Sequence, residues 1–198
     1  MWPVICEWIG RVLSVLLCAV AVKLFDDFLD VERDRKGDCY NFTYLLGKGT
    51  PIYAALALAL AGSIYPGMSL PLFFASYSIG MFHDLRQSFP SGLSGLQESF
   101  FVFFLGVLLW GWQGMLFSLF FIFSIQLFDD YLDSCQDQLA GYRNFAHRLG
   151  KTECLLLAIV TLLISWWLDE FFFFPALLAT LIFYSGIFLY QRGKPSCY

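Results

Sequence analysis

Leu24-Phe25-Asp26-Asp27-Phe28-Leu29-Asp30 returns 103 positions later as Leu127-Phe128-Asp129-Asp130-Tyr131-Leu132-Asp133. Each copy stands at the end of a long apolar run and opens a polar segment. The same offset relates Asp34 to Asp137, Asn41-Phe42 to Asn144-Phe145, and Leu46-Gly47-Lys48 to Leu149-Gly150-Lys151. An ungapped match of this length marks an internal repeat, with one acidic helix end and one following loop in each unit. The units span roughly 2–95 and 105–198, inside a single transmembrane domain that covers 1–198.

The runs that flank the motifs decide the class. Of the 198 residues, 59% are hydrophobic and only 14% charged, whereas a soluble domain carries about 25% charged residues. Mean hydropathy is +0.66. This composition points to a membrane protein. Seven apolar segments can be read, at roughly 2–26, 50–65, 69–84, 95–111, 113–133, 151–168 and 171–191. A helix needs about 20 residues to cross a bilayer. Helices satisfy every backbone polar group internally, as lipid requires. The expected fold is therefore all-α: a polytopic bundle of about seven transmembrane helices, built from two parallel repeats around a central cavity. The opening segment lacks a basic n-region and a small-residue cleavage site, and it runs straight into the first motif. It reads as a span and not as a signal peptide.

Positive charge sets the expected orientation. Arg33, Arg35, Lys36 and Lys48 follow the first segment, and Arg86 the third. Arg143, Arg148 and Lys151 follow the fifth, and Arg192 and Lys194 the seventh. The opposite connections carry Asp169 and Glu170 but no Lys or Arg. The motif loops and the C-terminus are thus expected in the cytoplasm and the N-terminus outside. No basic stripe supports a nucleic-acid partner. Cys6, Cys18, Cys39, Cys135, Cys154 and Cys197 form no CxxC and no metal-ligand spacing, so they read as buried or free thiols.

Asp27, Asp30 and Asp34 are spaced i, i+3, i+7, and so are Asp130, Asp133 and Asp137. On a helix this spacing gathers three carboxylates on one face. Asp26 and Asp129 lie about 100° further round and reach from the side. Stacked like charges near a membrane boundary need a counter-charge. Mg²⁺ suits the need, because it takes oxygen ligands, keeps several waters, and bridges one or two carboxylates to substrate phosphates. Lys23, Arg35, Lys36, Lys48, Arg86, Arg143, Arg148, Lys151 and Gln126 are the candidate substrate-binding set. A solvated acidic helix end and a Ca²⁺ or proton-coupled transport site are the alternatives.

Taken together, Asp26-Asp27-Phe28-Leu29-Asp30-Val31-Glu32-Arg33-Asp34 and Asp130-Tyr131-Leu132-Asp133-Ser134-Cys135-Gln136-Asp137 resemble the paired motifs of the UbiA superfamily of intramembrane prenyltransferases. Gly141-Tyr142-Arg143-Asn144-Phe145 and Arg148-Leu149-Gly150 extend the similarity. The resemblance implies a helical bundle, two Mg²⁺ ions, and a prenyl diphosphate held between the motifs. It also implies transfer of the prenyl group to an aromatic or lipid acceptor. The acidic residues of both motifs would then bind metal, with Asp27, Asp30, Asp34, Asp130, Asp133 and Asp137 catalytic. The chain departs from the family in being shorter, in Asp26 where Asn is usual, and in Tyr40-Asn41-Phe42-Thr43-Tyr44-Leu45-Leu46-Gly47 where the family has an Arg-Pro-Leu segment. A terpene cyclase or diphosphate lyase that needs no acceptor is the second reading. A non-enzymatic lipid-diphosphate binder or transporter is the third.

Other polar residues take blander readings. Arg11 lies within a span, and Glu7 one turn away is its expected partner. Lys23 either pairs with Asp27 or phosphate, or snorkels to the interface. Gln126 is expected to face the cavity. His83, Asp84 and Arg86 read as a solvated cluster, and His147 as an exposed loop residue.

Overall fold

The computed structural model describes residues 2–32, 41–80, 92–140 and 144–192, without the side chains of 2, 3, 135–140, 191 and 192. Among them the structure is all-α. The helices are α1 (Trp2–Leu29), α2 (Thr43–Leu46), α3 (Thr50–Ile64), α4 (Pro66–Gly80), α5 (Gly95–Ala140), α6 (Phe145–Leu149), α7 (Lys151–Leu168) and α8 (Glu170–Arg192). A short 3-10 turn, Gly47–Gly49, joins α2 to α3.

Four helical stretches among the described residues are long and apolar enough to cross a membrane: Thr43–Ile64, Gly95–Ser134, Lys151–Leu168 and Glu170–Tyr190. The sequence expectation of about seven spans is thus met only in part. The third expected segment, 69–84, is a 15-residue helix over Pro66–Gly80, about 22 Å long at 1.5 Å per residue. That falls short of the roughly 30 Å hydrocarbon core. The fourth and fifth segments, 95–111 and 113–133, form one long helical stretch interrupted at Gly111, whose φ is 79° and ψ 166°. A side chain is strained at that φ, so glycine is the residue that permits the break.

The chain divides into two compact units, Met1–Leu70 with Phe171–Tyr198, and Pro71–Glu170. In the first unit α1 packs on α3. Ser14, Val15, Cys18 and Ala21 are buried on α1, and Ala54, Ala57 and Ala61 on α3. Small side chains let two backbones approach closely, which is how helices associate where lipid removes the hydrophobic drive. The Ser14 hydroxyl exploits the approach and bonds to the carbonyls of Ala61 (2.8 Å) and Tyr65 (3.1 Å). The Cys18 thiol donates to the Ser69 carbonyl at 3.2 Å.

Arg11 finds partners within the same unit for both of its terminal nitrogens, while its buried Nε has none. Its Nη2 lies 2.5 Å from Glu7 Oε1, the expected pair. Its Nη1 donates to the Phe171 carbonyl at 3.4 Å. The guanidinium also stands 5.2 Å from the Tyr65 ring centre and 5.6 Å from that of Phe172. The two rings meet edge to face. Aromatic faces and a carboxylate together offset the cost of a cation away from water.

The second unit repeats the small-residue logic with α5 on α7. Ser124 Oγ donates to the Ala158 carbonyl at 2.9 Å. Leu127, Ala146, Cys154 and Ala158 form a buried cluster, with Phe123, Phe128, Phe145 and Leu157 packed against it. At the start of α5, Ser99 Oγ donates to the Ser78 carbonyl on α4 (2.9 Å) and Tyr77 Oη donates to Glu98 (2.9 Å). Gln113 Nε2 reaches the Leu168 carbonyl at 2.8 Å, where it satisfies an end carbonyl of α7.

Candidate functional site

The two acidic motifs fold the same way. In the first unit the Asn41 side chain donates to the main-chain carbonyl of Asp27 at 2.5 Å. The Phe42 N–H donates to Asp27 Oδ2 at 2.7 Å, and the Thr43 N–H to Asn41 Oδ1 at 2.7 Å. In the second unit Asn144 donates to the Asp130 carbonyl at 2.8 Å. The Phe145 N–H donates to Asp130 Oδ2 at 2.7 Å, and the Ala146 N–H to Asn144 Oδ1 at 2.7 Å. Every bond in one set maps onto its counterpart at the offset of the sequence repeat. The physical logic is shared too. A carbonyl near the end of the apolar helix gains a donor, and the first N–H groups of a short helix gain side-chain acceptors.

All four latch residues are buried: Asp27, Asn41, Asp130 and Asn144. A buried charge is tolerated when it is hydrogen-bonded and paired. Asp27 meets both conditions, because the Lys23 ammonium stands 2.9 Å from its Oδ1. The position that matches Lys23 in the second copy is Gln126, half-buried on α5. The latch phenylalanines pack differently in the two units. Phe42 stacks on Tyr190 of α8 with ring centres 5.8 Å apart. Phe145 meets Phe123 of α5 edge to face at 6.0 Å.

Each loop then turns back through a glycine. Gly47 (φ 58°) and Gly150 (φ 107°) both take positive φ, and both end a short helix. Their N–H groups bond to the carbonyls of Thr43 and Ala146 respectively. The turn delivers Lys48 and Lys151, both exposed, immediately after it. The Lys151 ammonium lies 5.1 Å from the centre of the Tyr131 ring, between Asp130 and Asp133 in sequence. Arg148 is exposed on α6, and His147 Nε2 sits 2.6 Å from the Ser134 carbonyl.

The remaining aspartates lie further out. Asp26 and Asp133 are exposed, and Asp30 and Asp129 half-buried. The Asp30 N–H still bonds to the Asp26 carbonyl at 2.9 Å, although α1 is assigned only to Leu29. In the second copy α5 continues to Ala140, so Asp130, Asp133 and Asp137 share the helical backbone that their spacing requires. Asp34, Arg35, Lys36, Arg86 and Arg143 lie outside the described residues, as do His83 and Asp84. The Asp137 side chain is outside them as well.

Among the described residues no three or more His, Cys, Asp or Glu side chains gather tightly enough to hold a metal ion. The donor chemistry nevertheless suits Mg²⁺: hard carboxylate oxygens, one or two per site, with water and phosphate completing the shell. Asp27 and Asp130 each commit Oδ2 to a backbone N–H. The latch bonds involve the carboxylates of Asp27 and Asp130 and not those of Asp26, Asp30, Asp129 or Asp133.

Asn41 and Asn144 are the site residues that sequence reasoning passed over as mere repeat identities. Their signal was present: an amide side chain, shared by the two copies, 14 positions beyond the second aspartate of each motif, Asp27 or Asp130. The chain matches no protein-family model, no curated protein and no solved structure.

Proposed function

We propose that the chain is a Mg²⁺-dependent membrane prenyltransferase of the UbiA type, with two Mg²⁺ ions. On this reading it spans the bilayer about seven times in two parallel repeats. The motif loops and the C-terminus face the cytoplasm and the N-terminus faces outward. One observation carries the reading: an acidic helix end, latched to a loop that presents a lysine, built twice with the same hydrogen bonds.

Asp30 and Asp133 would hold Mg²⁺, helped by Asp26 and Asp129, while Lys48, Arg148 and Lys151 contact phosphate oxygens. Mg²⁺, when bound, neutralises diphosphate and makes it a good leaving group. The prenyl C–O bond breaks, and its electron pair leaves with diphosphate. A nucleophilic atom of an aromatic or lipid acceptor then bonds to the allylic carbon and releases a proton. On this reading the cation must be shielded from water until the acceptor bonds to it.

The test is turnover of a labelled prenyl diphosphate by the purified chain in lipid, with and without candidate acceptors. Asp133→Ala and Asp30→Ala are expected to abolish it. Full activity in either variant removes the motif from the mechanism. Release of a hydrocarbon or terpenol without any acceptor would replace transfer by cyclisation or lysis. Binding without diphosphate release would leave a carrier of lipid diphosphates.

A further inference from the structure

Buried side-chain amides are costly unless both ends are bonded. Asn41 and Asn144 are bonded at both ends, and their partners are unusual. The donor end of each reaches back 14 residues to a carbonyl near the end of the acidic helix. The acceptor end holds the first turn of the short helix that follows. Asn therefore links two elements that carry opposite charge: the helix end with the aspartates and the loop that ends in Lys48 or Lys151. The aspartate in each latch fixes the same junction from the other side, through Phe42 N–H and Phe145 N–H. The positive-φ glycine closes the unit, so the lysine follows at a fixed remove.

We propose that Asn41 and Asn144 are positioning residues, each setting the separation between the carboxylates and the lysine of its own unit for a Mg²⁺-bound diphosphate. This rests on the function proposed above. Neither amide touches the ligand. Each acts through Asp27 or Asp130 and through the loop it caps. Only Asn does this, because one side chain must donate to a carbonyl and accept from an N–H. Ser retains the accepting role, since it caps helices as well as Asn does, but it lacks the amide donor that reaches the aspartate carbonyl.

That difference makes Asn144→Ser and Asn41→Ser the informative variants, because Ser can still accept from the Ala146 or Thr43 N–H. The experiment is calorimetric titration of the full chain in lipid nanodiscs with Mg²⁺ and inorganic pyrophosphate, alongside thermal unfolding. Each Ser variant is expected to unfold near the wild-type temperature yet bind Mg²⁺-pyrophosphate ~10–100-fold more weakly, the usual cost of losing an outer-shell partner. Steady-state assays should show the loss in KM for prenyl diphosphate more than in kcat. Wild-type affinity in both variants overturns the positioning role and leaves the proposed function standing. Absence of binding by the wild-type chain overturns both together. Where a Ser variant unfolds early, Asn144→Asp serves in its place. It has the same shape and keeps the acceptor, and unaltered affinity there is equally fatal to the proposal.

Discussion

The Lys23 ammonium and the Asp27 carboxylate stand 2.9 Å apart on successive turns of α1, and the carboxylate is buried. The second copy places Gln126 where the first has Lys23. The two acidic ends share a backbone design but differ in how their charge is compensated.

Replacing Lys23 with the second copy's own residue, Lys23→Gln, should expose that difference. The variant keeps a polar side chain but removes the cation beside a buried carboxylate. Hydrogen bonds to charged groups contribute about 1.5–3 kcal/mol. Lys23 is 34% exposed, so the loss should fall at or below the low end of that range. Thermal unfolding in detergent would measure it. No change in the midpoint would mean that the latch alone stabilises Asp27.

The turn glycines offer a comparison between the copies. Gly150→Ala forces a side chain into a region that glycine alone favours, at a cost of about 1–3 kcal/mol. The new methyl group would also push aside the exposed Glu153 carboxylate, a small further cost. Gly47→Ala meets open space and has only the backbone strain to bear. Gly150→Ala should therefore destabilise more than Gly47→Ala, as read by unfolding temperature. The reverse order would contradict the turn geometry.

Ser14 and Ser124 each bridge two helices through one hydroxyl. Hydrogen bonds between membrane helices average about 0.6 kcal/mol. Ser124→Ala should thus cost little. Ser124→Leu should cost far more, since overpacking a tight contact costs ~1–3 kcal/mol and parts the helices. Equal stability of the two variants would show that α5 and α7 do not meet closely there.

The proposed function predicts metal dependence. Chelation with EDTA should stop turnover of prenyl diphosphate, and Mg²⁺ should restore it. Asp133→Asn should raise the Mg²⁺ concentration needed for half-maximal rate, because it weakens one oxygen ligand without changing shape. Activity that persists through chelation counts against the metal role.

The helices were legible in the sequence because lipid demands long apolar runs. Segment 151–168 is Lys151–Leu168 in the structure, and 50–65 is Thr50–Ile64. The break near residue 111 was legible as the boundary between the segments 95–111 and 113–133, although the helix resumes beyond it. The third segment, expected over 69–84, starts earlier than that. Pro66 opens the helix, and Pro71 lies buried inside it. The repeat was legible as identity, and so was the acidic spacing. What Asp27 faces was not. Helical periodicity says which residues share a face, but Asp27 bonds to Phe42 and Asn41, 15 and 14 residues away. Contacts at that separation depend on how the chain returns, which no local pattern records.

The latch also acts as a ruler. Asp27 and Asn41 are 14 residues apart, and so are Asp130 and Asn144. The intervening stretches share only Leu29, Asp30 and Asp34 with Leu132, Asp133 and Asp137. Their composition has drifted, but their number has not, because both ends are pinned by the same three bonds. Exchanging residue types within either stretch should leave the latch closed. Count, more than identity, is what the two connections have in common.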